Sequence, residues 1–448
     1  MGKKHKKNLL LLFVQRLWIT MELFSKHGLK NHAAAGAFGF LFAVAPALII
    51  ISFFVNRAFI ASPELTRELF QSNNFLSGFI NPIDLVNKFL SYSGPGLAGI
   101  ISSIAIVWTV WLCALSIQRG ILVIFPRSHS KPFRKFLVVL ALAFIIILFI
   151  FIMLVGSRFA FNFYSFSGFP VFGPLNASFL ALPIRILQMV YLPLMTLAAY
   201  RFIPQNPPKM KHIIIGVALC IIFQQIFSAG FALIIGPDRY NMLYGTLGRL
   251  FLFLINVYFF FTFFFYGAQM IMTLHHSDAL LFIRFRSVHF PKVNHGFAGN
   301  KKQPGKISTL FDVVMRLPLF FKDILFKNIP GPLKKYLKTY KEGETVFLKG
   351  SKVQEVYYLV SGEAGVYLES EFQNRITVVK PGHFFGVMEV IIPQDRVNSI
   401  KAETDLSVMR LPTGVFHAII RMDPDTDQNI IKTLSERIKT LNKRVVGN

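Results

Sequence analysis

The residues able to do chemistry in this 448-residue chain are few and far apart. The densest group is His275-His276-Ser277-Asp278, two imidazoles and a carboxylate within four consecutive positions. Metal-assisted phosphodiester hydrolysis needs His and carboxylate ligands gathered around an open coordination position, and this is the nearest approach to such a set. The group directly follows a long apolar run, so it reads as a solvated polar cap where the chain leaves a bilayer, and no catalytic residue or metal ligand is assigned. Cys113 and Cys220 lie inside apolar runs and read as small packing residues, which leaves no disulfide framework and no thiolate metal site. The polar candidates within the runs are Arg119, Arg185, Gln224, Gln225 and Asn256. Arg119 and Arg185 stand near run ends, where a long side chain snorkels to the interface or meets an anionic headgroup. Gln224 and Asn256 suit hydrogen bonds between helices. No Asp or Glu falls in any run, which disfavours a proton- or sodium-coupled transporter built on an intramembrane carboxylate.

The elements that position these residues follow from composition. Hydrophobic residues make up 53% of the chain and charged residues 16%, against roughly 25% charged in soluble domains. Six stretches reach the roughly 20 apolar residues that span a bilayer: 33–55, 97–118, 136–156, 186–203, 213–235 and 250–274. Residues 8–26, with Gln15 and Arg16 interrupting their apolar face, read as an interfacial helix. Lys and Arg gather before the first span, between the second and third (Arg127, Lys131, Arg134, Lys135) and between the fourth and fifth (Arg201, Lys209, Lys211). The positive-inside rule makes these loops cytoplasmic and, with six spans, places both termini there as well. In the outer loop 56–96, Ser62-Pro63-Glu64 and Asn81-Pro82 each pair a cap with proline at the first helical position, predicting a small external lid. Ala35, Gly39, Ala43 and Ala47, and Gly216, Cys220, Gln224 and Ser228, recur every four residues and read as packing stripes. Pro46 and Gly120 are points where a helix could bend.

The net charge of +26 divides unevenly. Residues 1–277 hold 22 Lys and Arg against 5 acids, and the remainder holds 26 against 17. The excess lies on the inward loops, so it reads as topology and attraction to anionic headgroups at the cytoplasmic face rather than as a nucleic-acid footprint.

Residues 15–280 resemble the YihY/BrkB-type integral membrane proteins, formerly labelled ribonuclease BN. The resemblance rests, in order, on AAAGAFGFLFAVAPALII, SSIAIVWTVWLCALSIQRGI, YRFIPQNPPKMKHIIIGVAL and LYGTLGRLFLFLINVYFFFTFFFYGAQM. It implies a six-helix, multi-pass inner-membrane protein for which transport or lipid handling is the common supposition. That family usually carries an acid after the final Gly-Ala; here Gln269 follows Gly267 and Ala268, and it joins the polar candidates.

Composition changes after residue 285. Residues 286–307 read as a basic linker and 308–448 as a globular domain. Alternating segments at Thr345–Leu348, Val356–Val360 and Ala364–Leu368, punctuated by glycines 343, 350, 362, 382 and 386, predict a β jelly roll or barrel with flanking helices. LPLFFKDI, YKEGETVFLKG, EVYYLVSGEAGVYLE, PGHFFGVMEVIIPQDRVNSIKAET and LSVMRLP together resemble the cyclic-nucleotide-binding domain. The resemblance implies a cassette that opens at Phe385-Gly386, with Arg396 holding the cyclic phosphate and cyclic AMP or cyclic GMP as regulatory ligand. In this chain Val387 stands at the family's ribose-contacting glutamate, Val397 and Asn398 follow the arginine, and Asp395 beside it could also neutralise it. Glu389 is then the acid within reach of a ribose. These departures favour a degenerate domain used for assembly or regulation. Ile431, Leu434, Ile438 and Leu441 form a short seam that could pair two copies or pack on the jelly roll. No helix-turn-helix module follows before Asn448, and no nucleic-acid partner is expected.

The expectation is a non-enzymatic inner-membrane protein of two parts, a six-span helical domain over 1–285 and a cytoplasmic jelly roll over 308–448. The first would handle or transport a lipid or other amphiphile, and the second would regulate it. A membrane scaffold with a degenerate sensor domain is the alternative, and a ribonuclease the third reading.

Overall fold

The structure, a computed structural model, describes residues 2–42, 97–125, 190–204, 207–234, 237–290 and 324–423, with single positions near 137–144 and 426–435. Pro46, Ala43 and Ala47, the 56–96 loop with both of its proline caps, nearly all of the third span, Arg185, the linker from 291, and Leu434, Ile438 and Leu441 lie outside the described residues. The chain divides into two compact units, Thr20–His275 on one side and Met1–Ile19 with His276–Asn448 on the other.

The first unit is helical. Helix α1 (Gly2–Lys26) ends in it, followed by α2 (29–42), α3 (Leu97–Ile124), α4 (190–202), α5 (Met210–Ile234) and α6 (Pro237–His275). Among the described residues two segments, Met210–Phe231 and Phe251–His275, are long and apolar enough to cross a bilayer. Trp111–Ile124 is apolar but shorter. The expected fifth and sixth spans are therefore present as helices, and the count of six depends on residues outside the described set. Only 22% and 28% of the residues in the two most apolar windows are buried, less than the core helices of a soluble protein bury. Phe38, Phe42, Trp108, Leu112, Ile222, Ile226 and Phe251 instead point outward, as a surface solvated by lipid tails requires.

Helix α6 is the hub of this unit. Its Phe261, Phe264, Phe265 and Ile271 share one core with Ala33 and Ala37 of α2, Cys113, Ile117 and Ile121 of α3, Tyr200 of α4 and Val217 and Cys220 of α5. The packing face of α2 corrects the expected stripe. Ala33, Gly36 and Ala37 are buried while Ala35 is exposed; of the predicted set that is described, Gly39 alone makes the close approach, its position facing the Cα of Cys113. The reason is rotational: an every-four spacing drifts around a helix of 3.6 residues per turn, and the bulk of Phe261 selects Gly36 as the closest point. On α5 the stripe holds at Gly216 and Cys220, both facing α6, and ends at Ser228, which is exposed. A Cβ on Gly267 would lie 2.7 Å from the carbonyl of Gly216 and 2.7 Å from the hydroxyl of Tyr200. That hydroxyl donates a 2.6 Å bond to the carbonyl of Phe264.

The second unit begins one helix earlier than composition suggests. Helix α7 (Ser277–His289) carries buried Leu281, Phe282 and Phe285, an apolar face that reads in sequence as a continuation of the last span. Phe282 lies 5.0 Å from the ring of Tyr358 and 5.8 Å from that of Phe384. Asp278 accepts bonds from Lys335 (2.8 Å) and Tyr336 (2.7 Å), and Arg286 reaches Thr426 at 2.6 Å and Asp423 at 3.6 Å. The start of α1 belongs here too: Gln15 donates to the carbonyl of Leu325 at 2.7 Å and Arg16 to Ser277 at 3.1 Å. The two polar residues that break the N-terminal apolar run are thus used in packing.

Two four-stranded antiparallel sheets form the jelly roll. One has the order β1-β8-β3-β6 and the other β2-β7-β4-β5, with β1 Leu337–Tyr340, β2 Thr345–Phe347, β3 Glu355–Ser361, β4 Ala364–Tyr367, β5 Arg375–Val379, β6 Phe384–Phe385, β7 Ser399–Ala402 and β8 Leu406–Pro412. All five predicted glycines turn the chain with positive φ. Alternation along β3 assigns its faces: Tyr357 and Leu359 enter the core between the sheets, while Val356 packs with Phe416 of helix α9 (Thr413–Met422) on the outer face, and Tyr358 meets Phe282 there.

Two outcomes follow from this packing. Gly267→Ala should lower the thermal midpoint of the purified protein by overpacking backbone against backbone, a loss of about 2 kcal/mol. The hydroxyl of Tyr358 is buried with no hydrogen-bond partner among the described residues, so Tyr358→Phe should stabilise by about 1 kcal/mol. Burial pushes the Tyr358 phenol far above its ordinary 10.0, with Arg286 pulling it partly back. Its neutral form is therefore favoured by folding, and its contribution to stability holds below pH 10 and is lost as pH rises from there toward the folded value. Thermal melts across the alkaline range should show a shallower decline for Tyr358→Phe than for the wild-type chain.

Candidate functional site

The cassette singled out in the sequence is built at the end of β6. Phe385 is buried, its ring stacked on that of Tyr357 at 5.2 Å. Gly386 follows with φ +65; a Cβ there would run into the guanidinium of Arg396, so both conformation and space demand glycine. Val387 begins the turn into the four-residue helix α8 (Met388–Ile391). Its side chain packs with Val356, Phe416 and Ile430, so the position where a ribose-contacting acid was looked for faces an apolar cluster.

Arg396 is 3% exposed. Its Nη1 donates to the carbonyl of Gly386 at 2.8 Å and to Oε2 of Glu389 at 3.3 Å, and its Nη2 donates to the carbonyl of Glu355 at 2.6 Å. The guanidinium plane lies over Phe347, 4.2 Å from the ring centroid, with Tyr357 at 5.6 Å. The backbone is pinned as well: the Arg396 amide donates to Ser351 and its carbonyl accepts from Gly350 at 2.7 Å. Glu389, 6% exposed, forms a buried ion pair with the arginine and accepts a long 3.4 Å bond from the amide of Val397. Asp395, the acid expected to neutralise Arg396, is exposed. That expectation is corrected: Asp395 lies at a bend with its side chain in solvent, and the acid that meets Arg396 is seven residues away.

Sequence reading brought Phe385, Gly386, Glu389 and Arg396 forward, and the structure gathers all four. It missed Phe347, Tyr357 and the carbonyl of Glu355. The inward alternation of Phe347 and Tyr357 carried a signal for the two rings, whereas no side-chain pattern marks a carbonyl. Around the site, burial pushes the Tyr357 phenol upward, joined by Tyr340 and Glu355 and opposed by Arg410 and Arg396. The Glu355 carboxylate, 2.6 Å from Arg410, is the first cause that raises that arginine further.

The polar candidates of the helical unit are dispersed. Arg119 is exposed on α3. Gln224 reaches Asn256 at 3.5 Å between α5 and α6. Gln269 is fully buried, 3.0 Å from Nδ1 of His27, a partner that no sequence pattern indicated. As for the four-residue polar group, His275 lies ring to ring with His212 at 6.0 Å, while Asp278 is engaged by Lys335 and Tyr336. Among the described residues no three His, Cys, Asp or Glu side chains are grouped to hold a metal. In the C-terminal seam Ile431 is exposed and its neighbour Ile430 packs on the jelly roll.

Comparison with known proteins gives both parts a place. Residues 20–281 match the family model described as virulence factor BrkB, and residues 337–423 match that of the cyclic nucleotide-binding domain. The chain is similar to the CRP-like cAMP-activated global transcriptional regulator of Mycobacterium tuberculosis, 21% identical over 108 residues, which are 24% of this chain and 48% of the relative. The chain thus spans about half the length of that curated relative. Among solved structures it resembles the Thermus thermophilus catabolite activator protein, with 23% identity, a TM-score of 0.23 and coverage of 25% of this chain and 54% of the other. The sensor domain of the transcriptional regulator DNR from Pseudomonas aeruginosa shows 21% identity and a TM-score of 0.21, covering 24% and 73%.

The site geometry sets an expectation for stability. Arg396→Ala leaves Glu389 buried without its cation and two carbonyls without donors, and should cost about 3 kcal/mol. Arg396→Lys, which keeps the charge but not the forked geometry, should lose less. Unfolding of the full-length protein followed by tryptophan-independent calorimetry distinguishes the two; equal midpoints for Arg396→Ala and wild type would contradict the buried ion pair.

Proposed function

The chain belongs to the virulence factor BrkB family, a membrane family, and from that membership we propose that its helical part moves or organises a lipid or another amphiphile in the cytoplasmic membrane under control of its C-terminal domain. The single observation that carries the regulatory half is the cassette itself: Gly386 in the left-handed turn with a buried Arg396 guanidinium behind it, inside a segment that matches the cyclic nucleotide-binding domain. An arginine offers forked donors that suit a phosphate, so a cyclic nucleotide is the ligand class best supported. A ligand that binds one state of the domain more tightly shifts the balance of states by that difference in affinity and no more.

The lipid-handling half is supported by residue chemistry. The spans contain no Asp or Glu, and the polar side chains described within them, Gln224 paired with Asn256 and the buried Gln269, are amides that carry no charge. Passive movement of an amphiphile along such helices needs no intramembrane carboxylate. The basic loops favour anionic headgroups and termini on the cytoplasmic side.

The second reading, a scaffold with a degenerate sensor domain, is favoured by one specific observation: both terminal nitrogens of Arg396 are engaged by acceptors from the protein. In that reading the exposed Ile431 begins the seam that pairs two copies.

Reconstitution into vesicles separates them. Fluorescent lipids of several headgroups should cross the bilayer faster with protein than without it, at a rate that changes on adding cyclic AMP or cyclic GMP, and the nucleotide response should vanish in Arg396→Ala. No lipid movement with any headgroup would remove the transport reading and leave the scaffold. Movement that ignores nucleotide would leave transport and remove its regulation by this ligand.

A further inference from the structure

We propose that the Glu389 carboxylate is a resident counter-ion holding the place of an anionic ligand on Arg396, so that ligand binding is an exchange of one anion for another and Glu389 sets its affinity. The inference rests on reading the cassette as an anion site, and it adds which group of the chain competes for that site.

Three acceptors meet the guanidinium, and they are not equivalent. The carbonyls of Glu355 (2.6 Å) and Gly386 (2.8 Å) belong to backbone: Glu355 is paired with Pro412 across β3 and β8, and Gly386 directly follows β6 in its left-handed turn. Neither can leave by rotation of a side chain. The third, Oε2 of Glu389, makes the longest contact at 3.3 Å and sits on a side chain of a four-residue helix. Among the described residues its other oxygen is held by the 3.4 Å bond from Val397 alone. Glu389 is therefore the one acceptor that can swing away.

The other acids near the arginine are not competitors. The Glu355 carboxylate is committed to Arg410 at 2.6 Å, and Asp395 is exposed. Phe347 covers the face of the guanidinium, so the cation cannot be approached there by an anion. Withdrawal of Glu389 would leave one N–H of Nη1 for an entering anion.

Charge completes the argument. With Arg396 and Glu389 both buried, at 3% and 6% exposure, the site is neutral as it stands. An entering anion makes it negative unless Glu389 withdraws into water, and burying an unpaired charge is strongly unfavourable. A neutral side chain at 389 leaves a single positive charge, for which an anion supplies the missing partner.

The test uses the full chain in lipid nanodiscs, titrated with cyclic AMP, cyclic GMP and inorganic phosphate, with binding read by calorimetry and by the thermal midpoint. Glu389→Gln should bind both nucleotides about tenfold more tightly than wild type, as befits loss of one competing charge. The factor should be the same for both, because the change lies at the phosphate and not at the base. Phosphate should raise the midpoint of Glu389→Gln and leave that of wild type unmoved. Equal or weaker nucleotide binding by Glu389→Gln, with wild type binding, overturns the counter-ion role while leaving cyclic-nucleotide regulation intact; a gain for one nucleotide alone also overturns it. If neither protein binds nucleotide but phosphate still stabilises only the variant, the cyclic-nucleotide reading falls and the counter-ion inference stands. No response of the variant to any of the three ligands overturns the inference. Should Glu389→Gln fail to fold, Glu389→Asp, whose carboxylate is drawn back by one methylene, should show a smaller gain in affinity, and a loss would count against the proposal.

Discussion

A guanidinium buried to 3% exposure has to be met by acceptors, because an unpaired charge in a protein interior costs several kcal/mol. Much of the jelly roll's local design follows from that requirement. Gly386 adopts a left-handed turn that brings its carbonyl to Arg396, and it has no Cβ because one would occupy the guanidinium's space. Glu355 offers its carbonyl to Arg396 and its carboxylate to Arg410, which ties β3, β8 and the cassette together. Phe347 and Tyr357 cover the cation's face, and Tyr357 in turn stacks on Phe385. The same interaction that stabilises the fold also decides what the site can bind, since any anion must compete for one cation.

The outer face of β3 and β6 carries a second consequence. Phe384 and Phe385 are consecutive, so their side chains lie on opposite sides of the sheet. Phe385 contacts the rings beside Arg396, while Phe384 lies against Phe282 of α7 and against Phe416 of α9. The cassette strand is thus packed on both of its faces. Helix α7 is anchored to this unit by Asp278 and Arg286 at its two ends, and it follows α6 directly in the chain. The helical unit depends on a different constraint, the approach of backbones at Gly216 and Gly267. Where helices are surrounded by lipid, association relies on packing and not on expulsion of water, so small residues at the contact matter more than large ones.

Much of this was legible in residue types. The strands around Thr345, Val356 and Ala364 and the five turn glycines could be placed because alternation and turn chemistry are local properties. The apolar segments over α5 and α6 were legible because length and hydropathy suffice. The packing stripe on α2 was legible only in part: small residues are common along that helix, and choosing Ala33, Gly36 and Ala37 over Ala35 depends on where Phe261 comes to lie. That the helix after the last span packs with the second unit was not legible, for a related reason. Leu281, Phe282 and Phe285 are as apolar as lipid-facing residues, and it is their burial, with Phe282 against Tyr358 and Phe384, that distinguishes them.

By itself the sequence determined that the chain has a membrane-family helical part followed by a β domain with an arginine-bearing cassette, because composition, period and motif order are written along one dimension. It also determined that Gly386 and Arg396 belong to one site. What the tertiary structure decided is the state of that site: Glu389, not the adjacent Asp395, supplies the counter-charge, and Val387 turns into an apolar cluster. The physical reason is that neutralisation of a buried charge depends on direction and distance in space. Adjacency in sequence leaves Asp395 in solvent, whereas a single turn of helix brings the Glu389 carboxylate, seven positions away, within 3.3 Å of Arg396.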